Sequence, residues 1–263
     1  MTKIISFASG KGGVGKSSLV ANLGVLFAKQ KKRVLLIDAD WALGKLSLMF
    51  DARPKWTVEN VLNHTASMNE AVFELQPTLH LLASPSGIVG FEELSEATRH
   101  QLFFEIEQLA PRYDVVLLDH SSGVHWGVLP FAAAAHHHVI VTTPEPTSYM
   151  DAYAIMKILS KRFRVQNFSL IVTTHIDPHE SGKIIERFLE VTRSNLGVRV
   201  QCMDILNWEP RVAESIRQRK PYVELFPLSH WTSALKRIRE TMDGLVPELT
   251  GGLQFVFSKA NFS

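Results

Sequence analysis

The residues with the clearest chemical potential form one glycine-rich segment close to the N-terminus. The segment reads Gly10, Lys11, Gly12, Gly13, Val14, Gly15, Lys16, Ser17 and Ser18. Glycines allow the backbone to curl so that successive N–H groups point inward at phosphate oxygens. In a loop with this spacing, the ammonium of Lys16 would bind the β- and γ-phosphates of a nucleotide. The hydroxyl of Ser17 would bind Mg²⁺. We therefore predict that the whole segment binds a nucleotide and that Lys16 also serves catalysis.

Carboxylates follow two apolar runs that have the composition of buried strands. Asp38 and Asp40 come after residues 35–37, and Asp119 comes after residues 115–118. α/β sheets place ligands at the carboxyl ends of their strands, and residues two apart on an extended backbone point to the same side. A carboxylate at this distance from a phosphate loop is typical of the Walker B position close to Mg²⁺. Asp119 is therefore predicted at the metal, while an acidic surface turn remains open for Asp38 and Asp40.

These residues need a parallel sheet to bring them together, and the pattern of the chain predicts one. Apolar, β-branched runs alternate with longer helical stretches. The predicted strands are residues 3–8, 33–37, 79–82, 115–118, 139–142, 168–172 and 198–203. The predicted helices are residues 17–30, 91–110, 149–163, 180–194 and 229–245. The predicted fold class is α/β, a single doubly wound, mostly parallel sheet with helices on both faces. Residues 1–249 are predicted as one domain and residues 250–263 as a C-terminal tail.

Composition narrows the class of protein. Hydrophobic residues make up 46% of the chain and charged residues 21%, as in an ordinary globular domain. The 28 basic and 26 acidic residues give a net charge of +2, so no global field directs the chain to nucleic acid. The single cysteine, Cys202, excludes an internal disulfide framework and a cysteine-ligated cluster within one chain. No apolar run reaches the roughly 20 residues of a membrane span. We expect a cytoplasmic protein that at most rests on a membrane surface.

A second lysine makes the glycine-rich segment more specific than a general phosphate loop. With Lys11 the segment reads Lys-Gly-Gly-Val-Gly-Lys-Ser, which resembles the deviant Walker A loop of the MinD/ParA superfamily of P-loop ATPases. The resemblance covers residues 3–245 and implies ATP or ADP and Mg²⁺ as ligands. It also implies that Lys11 is catalytic and reaches the partner's nucleotide across an ATP-bound homodimer. Asp40 would orient or activate the attacking water, and Asp38 would lie near the metal, together with Ser17 and Asp119.

Residues 144–154 resemble one branch of this superfamily, the FlhG (or FleN) proteins. Those proteins control the number and placement of bacterial flagella. Asp151 matches an acidic position at the superfamily's dimer interface. The resemblance implies a slow ATPase that dimerises with ATP and controls the placement or number of a structure such as flagella. It implies a flagellar assembly factor, or another localisation factor, as partner.

Several positions depart from the family pattern. Ala42 and Lys45 stand where the first switch segment usually has Gly and Asn, and His120 stands where the second has Thr or Ser. Residues 173–175 replace a typical adenine-contacting Asn, and residues 205–208 replace an Ile-Pro-x-Asp loop. Phosphate and Mg²⁺ binding are untouched, but a non-hydrolysing localisation scaffold stays open. A ParA-type DNA partition ATPase is a second alternative, with nucleic acid the less favoured partner. A biosynthetic enzyme is a third, for which the chain has no acceptor-site motif.

Three other segments are predicted to have smaller roles. The tail carries Leu253, Val256, Phe257 and Ala260 on one helical stripe, which indicates a short amphipathic membrane or partner segment, or packing on the core. Residues 136–138 are consecutive histidines; neighbours on a strand alternate faces, so we predict an exposed strand start rather than a metal site. The basic residues between 211 and 220 are predicted as a solvated helix face, with anionic lipid, DNA or an acidic partner left open.

Overall fold

A computed structural model describes residues 2–40, 44–84, 94–123 and 129–246 of the chain. Within them lies one eight-stranded sheet with the strand order β3-β4-β2-β5-β1-β6-β7-β8. The strands are β1 (Lys3–Ser9), β2 (Val34–Ala39), β3 (Val72–Gln76), β4 (Leu79–Leu82), β5 (Val115–Ser122), β6 (His137–Thr142), β7 (Asn167–Thr174) and β8 (Arg199–Asn207). All neighbouring strands pair in parallel except β3 and β4, which are antiparallel. The predicted fold class is confirmed.

Helices cover both faces of this sheet. They are α1 (Lys16–Lys29), α2 (Lys45–Met49), α3 (Val58–Leu62), α4 (Met68–Ala71), α5 (Glu96–Leu109), α6 (Leu129–Ala133), α7 (Pro146–Phe163), α8 (Pro178–Leu196), α9 (Pro210–Arg217), α10 (Tyr222–Leu225) and α11 (His230–Gly244). Each of the five predicted helices is present, and proline occupies the first turn of α7, α8 and α9. The predicted helix over 91–110 begins at Glu96, after the N-cap Ser95; residues 91–93 lie outside the described ranges.

The sheet separates two apolar cores, as a doubly wound fold requires. On β2, Leu35 and Ile37 belong to the core that contains residues of α5, α7 and α8, whereas Leu36 faces the core that contains residues of α1 and α11. The interior strands therefore read as continuous apolar runs because both of their faces are buried. Helix α1 lies very close to the sheet, since a Cβ atom at Gly24 would be 2.7 Å from the Cδ2 atom of Leu36. Gly24 therefore allows α1 to pack closely against β2.

One prediction about exposure is wrong. The three consecutive histidines are buried, with His136, His137 and His138 only 9%, 8% and 7% exposed. The reason is the strand order, which places β6 between β1 and β7 in the interior of the sheet. Burial lowers the pKa of His137 to about 4 and that of His138 to about 3, so both rings are neutral at pH 7. The ring of His136 accepts a hydrogen bond at Nδ1 from the Ile4 N–H, at 3.1 Å.

Two other predictions concern the surface and the C-terminus. Arg211 and Arg217 are exposed on α9, as predicted for a solvated helix face, whereas Arg219 and Lys220 are exposed beyond the end of that helix. The tail 250–263, with its apolar stripe, lies outside the described residues, so its predicted amphipathic helix stays a prediction. Across the described ranges, no helix has the length and apolar character needed to cross a membrane.

Candidate nucleotide-binding site

The glycine-rich segment connects the end of β1 to the start of α1. Gly13 and Gly15 have φ angles of +82° and +87°, a left-handed conformation that other residues rarely adopt. Gly15 is the N-cap residue of α1, and its carbonyl accepts the hydrogen bond from the Leu19 N–H at 2.9 Å. Lys16, the first residue of α1, and Ser17 are buried at the positive end of this helix. An anion is favoured at such a position, because unpaired N–H groups and the helix dipole both point at it.

Three neighbouring elements hold the loop in place. The hydroxyl of Thr173, on β7, donates a hydrogen bond of 3.0 Å to the carbonyl of Val14. Gly12 lies beside Ser122 of β5, whose Oγ atom would be 3.3 Å from a Cβ atom at that glycine. At Gly10 the approach is closer still, since a Cβ atom there would overlap the Cβ atom of Asp151 on α7. Glycine is therefore needed in this loop for two reasons. It allows the turn, and it leaves room for the neighbouring side chains that pack against the loop.

A buried ion pair lies below the loop. The Nζ atom of Lys16 donates to Oδ1 of Asp119, and the two side chains are only 5% and 0% exposed. The other carboxylate oxygen of Asp119 is also buried and has no hydrogen-bond partner within the described ranges. Register between β2 and β5 places Asp38 directly beside Asp119. The structure therefore brings together Lys16, Asp38 and Asp119, which lie far apart in the sequence.

Asp38 is the second buried carboxylate of this cluster. Its oxygens accept hydrogen bonds from the backbone N–H groups of Asp40, at 3.1 Å, and Leu46, at 2.9 Å. Burial, and after it the negative charge of Asp119, raise the pKa of Asp38 to about 7. Two buried carboxylates side by side are stabilised by a cation, and the unpartnered Oδ2 atom of Asp119 is suited to one.

The donor set fits Mg²⁺ as nucleotide-binding proteins hold it. Mg²⁺ keeps several waters and uses one or two carboxylates together with phosphate oxygens. Asp38, Asp119 and the buried hydroxyl of Ser17 supply oxygen donors of this kind. In the part of the chain that the structure describes, no three His, Cys, Asp or Glu residues converge as a metal site of their own.

The second predicted aspartate, Asp40, forms an ion pair with Lys45. The Nζ atom of Lys45, the first residue of α2, lies 2.7 Å from Oδ2 of Asp40. The carbonyl of Asp40 accepts hydrogen bonds from the Gly44 N–H and the Ser84 hydroxyl, both at 3.1 Å. The sequence identified Lys45 as unusual but not as a partner of Asp40. Ala42, the other unusual residue of this segment, lies outside the described ranges.

Lys11 lies on the exposed side of the loop, away from the buried cluster. Its ammonium forms an ion pair with Glu145, the N-cap residue of α7, and the hydrogen bond from Lys11 lowers the pKa of Glu145. Asp151, one and a half turns farther along α7, packs against Gly10. The sequence gave no role to Glu145; the signal was present in its position directly after β6, where a parallel sheet places ligands.

An open cleft lies beside the loop, at the ends of β6, β7 and β8. The aromatic rings of His175 and Trp208 contact one another there, with centroids 4.5 Å apart and planes 31° apart. The Trp208 N–H donates to the carbonyl of Thr174 at 2.7 Å, which connects the two strand ends. The lining of the cleft is Gly13, Val14, Gly15, Ser18, Leu19, Thr143, Thr173, Thr174, His175, Leu206, Asn207, Trp208, Glu209, Val212 and Trp231. A flat aromatic base would find stacking surfaces here while its phosphates reach the loop.

His120 is the remaining unusual residue near the cluster. It follows Asp119 on β5 and is fully buried. Burial, with a smaller effect from the charge of Lys16, lowers its pKa to about 3. The ring is therefore neutral, and His120 adds no charge to the site at neutral pH. His125, farther along this segment, lies outside the described residues.

Comparison with known proteins agrees with this geometry. Residues 5–222 match the family model described as CobQ/CobB/MinD/ParA nucleotide binding domain. The antiactivator FleN of Pseudomonas aeruginosa is 26% identical over 241 residues, 92% of this chain and 86% of FleN. The flagellum site-determining protein YlxH of Helicobacter pylori is 29% identical over 238 residues, 90% of this chain and 80% of YlxH.

A solved structure gives the same result for the fold. The septum site-determining protein MinD of Pyrococcus horikoshii, in complex with Mg-ADP, has a TM-score of 0.75 to this chain. Its sequence is 24% identical, and the match covers 93% of this chain and 97% of that protein. The family model matches residues 5–222, most of the chain, and shows that the protein belongs to the CobQ/CobB/MinD/ParA family of nucleotide-binding domains.

Proposed function

We propose that the protein is a slow, Mg²⁺-dependent ATPase that works as an ATP-dependent dimerising switch of the MinD/FlhG type. The observation that carries this proposal is the buried contact of Lys16 with Asp119 directly below the phosphate loop. A buried lysine needs an anion, and Asp119 supplies one. An entering phosphate would take over Lys16 and leave Asp119, beside Asp38, available to a cation.

Each site residue then has a distinct task. The backbone N–H groups of the loop and of the first turn of α1 would bind phosphate oxygens. Lys16 would neutralise the charge that develops on the transferred phosphoryl group, and Asp40 would orient the attacking water. Ser17, Asp38 and Asp119 are the residues that would hold Mg²⁺, which when bound would offset phosphate charge. Catalysis in this account is positioning and charge neutralisation, with no covalent step on the protein.

The dimer would form on the face that carries Lys11 and α7. Lys11 is exposed there, and its pair with Glu145 is a weak surface contact that a stronger anion can replace. Met150, on the same helix, is 65% exposed, so α7 offers apolar surface next to the charged pair. The γ-phosphate of a nucleotide bound to a second copy is the anion that we assign to Lys11. ADP lacks that group, which would make dimerisation specific to ATP.

The cellular role follows from the kind of relatives that this chain has. FleN and YlxH carry the descriptions antiactivator and flagellum site-determining protein, and MinD is a septum site-determining protein. We infer that the protein controls the placement or number of a structure such as flagella. We further infer that it acts in the cytoplasm or at the inner face of the cell membrane, with a flagellar assembly factor or another localisation factor as partner. Residues 1–249 would suffice for nucleotide binding, and the tail would serve membrane or partner contact.

One observation favours a second candidate, a scaffold that binds ATP without hydrolysing it. Asp40, the residue assigned to the water, is held by Lys45 in the structure. A chain fixed in this state would bind ATP and dimerise but release no phosphate. The two candidates share the nucleotide site and differ only in turnover.

A combined measurement tests the proposal. The protein is titrated with ATP and with ADP by equilibrium dialysis, and phosphate release is then followed at saturating ATP with and without Mg²⁺. We expect both nucleotides to bind, slow release that requires Mg²⁺, and a doubled mass by light scattering with ATP alone. Binding and dimerisation without phosphate release would select the scaffold. Strong, salt-dependent binding to nonspecific duplex DNA would favour a partition ATPase. Absence of nucleotide binding would reject all three.

A further inference from the structure

The conformation of Asp40 is determined at three points. Its backbone N–H donates to Asp38, and its carbonyl accepts hydrogen bonds from Gly44 and Ser84. Its side chain is bound by Lys45 through Oδ2. The backbone contacts fix where the carboxylate lies, so the ion pair is the contact that fixes where its oxygens point.

Local backbone geometry brings Lys45 to this position. Gly44 has a φ angle of +54° and turns the chain back, so that its own N–H returns to the Asp40 carbonyl. Helix α2 then begins at Lys45, whose side chain returns to the carboxylate five residues earlier. Asp40 is 4% exposed and Lys45 37% exposed, so the carboxylate is shielded from solvent and the ammonium covers it from outside.

The contact opposes the role that the proposed function gives to Asp40. A carboxylate orients an attacking water by accepting a hydrogen bond from it, and the oxygen must be free and correctly directed. The ammonium of Lys45 binds one oxygen of the Asp40 carboxylate. Because this contact fixes the rotation of the carboxylate, it also fixes the direction of the other oxygen. A neutral side chain at this position would leave both oxygens available.

We propose that Lys45 is a positioning residue that restrains hydrolysis by holding Asp40 away from the attacking water. The inference rests on the proposed function, since it assumes that Asp40 serves the water. Lys45 itself contacts neither nucleotide nor metal in this account. Because Lys45 holds Asp40, hydrolysis is slower. The protein therefore stays in its ATP-bound form for longer.

The test compares variants of the full chain in ATP hydrolysis and ATP binding. Lys45→Met keeps the length of the side chain and removes its charge, whereas Lys45→Arg keeps the charge. A matched control is Lys32→Met, because Lys32 is 39% exposed and paired with Asp243 at 3.4 Å, on a different part of the surface. We expect Lys45→Met to raise kcat about tenfold, the size of effect that losing one charge-assisted hydrogen bond produces. Lys45→Arg and Lys32→Met should stay close to the wild-type kcat.

The affinity for ATP separates this role from a structural one. We expect the Kd for ATP and the ATP-dependent mass to be the same in Lys45→Met and wild type, so that only kcat changes. A Lys45→Met variant that hydrolyses at or below the wild-type rate, while wild type is active, overturns the restraint and leaves the proposed function intact. A wild type that binds ATP but is inactive, with activity gained in Lys45→Met, supports the restraint. Bound ATP without hydrolysis in every variant overturns the restraint and the ATPase activity together.

Discussion

Lys16 and Asp119 form an ion pair across the junction of α1 and β5, with both side chains buried. Asp119 also lies beside Asp38 in the register of the sheet, so the buried ion pair has a second buried carboxylate next to it. The pair explains how the chain can keep a buried lysine at the positive end of a helix, where a cation is otherwise repelled. It also identifies the contact that a nucleotide must replace.

Lys16→Ala should abolish ATP binding, because the phosphates lose their main cation within the chain. The variant should remain folded, as circular dichroism can verify, although its two buried carboxylates lose their counter-charge. Lys29→Ala is the control, since Lys29 is exposed at the far end of the same helix. Equilibrium dialysis measures the affinity of each variant for ATP. An unchanged ATP affinity in folded Lys16→Ala would remove the basis for placing the phosphates on this loop.

Asp40→Ala should bind ATP as the wild type does and accumulate as a dimer, because assembly needs the phosphates and Lys11 but not the oriented water. Phosphate release and light scattering measure the two properties on one sample. Asp51→Ala is a suitable control, because Asp51 is an exposed aspartate paired with Arg219 on the surface. Hydrolysis at the wild-type rate in Asp40→Ala would show that Asp40 has no part in the reaction.

Trp208→Ala should weaken the binding of both ATP and ADP while leaving kcat nearly unchanged. Base–aromatic stacking contributes roughly 1–3 kcal/mol, so we expect about a tenfold loss of affinity. Phe104→Ala is a matched control, because Phe104 is 58% exposed and Trp208 56%, and Phe104 lies on α5 away from the cleft. Equal affinities for nucleotide in wild type and Trp208→Ala would mean that the base lies elsewhere.

The buried histidines should make the fold sensitive to acid. His138 has a pKa of about 3 in the fold against an ordinary value of 6.5. Between these values the unfolded chain binds a proton at His138 that the folded chain does not, so the contribution of His138 to stability falls as the pH drops below 6.5. One such group costs about 1.4 kcal/mol per pH unit.

Urea unfolding of ligand-free protein at pH 6.5 and pH 5 measures this effect. His138→Gln stays uncharged and should lose about 1.5–2 kcal/mol less than wild type over that interval. His120 and His137 titrate in the same direction, so the variant keeps part of the sensitivity. His179→Gln, an exposed control, should behave as wild type. Identical losses in His138→Gln and wild type would contradict the neutral, buried state of His138.

Local sequence signals predicted most of the fold, because they concern neighbours in the chain. The loop was recognisable from glycine spacing, and seven strands from runs of apolar and β-branched residues. Strand β3 was missed, since Val72–Gln76 is only partly buried and pairs antiparallel at the sheet edge. The histidines were misjudged because their burial depends on the order of the strands, which no local pattern contains.

The parts of the site that the sequence did not provide are contacts between distant segments. Lys11 meets Glu145, and Lys16 meets Asp119, only because β1 lies between β5 and β6 in the sheet. His175 and Trp208 were known as departures from a family pattern, yet their contact follows from the pairing of β7 with β8. The residue types predicted what chemistry the site could perform. The strand order determined which of those residues come into contact.

The central claim is that Lys11 works across a dimer held together by ATP. Lys11→Ala should leave the monomer's affinity for ATP within a few fold, since Lys16 already serves the nucleotide in its own chain. Losing a charge-assisted contact costs roughly 1.5–3 kcal/mol, and a two-fold dimer loses it twice. A dimer that forms at micromolar concentration would then need roughly millimolar protein.

Light scattering of the wild type and Lys11→Ala at micromolar concentration, without nucleotide and with ADP or ATP, tests this claim most directly. Glu145→Gln is a useful companion, because it removes the negative charge that pairs with Lys11 without removing Lys11. We predict that wild type and Glu145→Gln double their mass with ATP alone, and that Lys11→Ala stays monomeric with ATP bound. A full ATP-dependent dimer of Lys11→Ala would contradict the account and leave a plainer phosphate-loop protein.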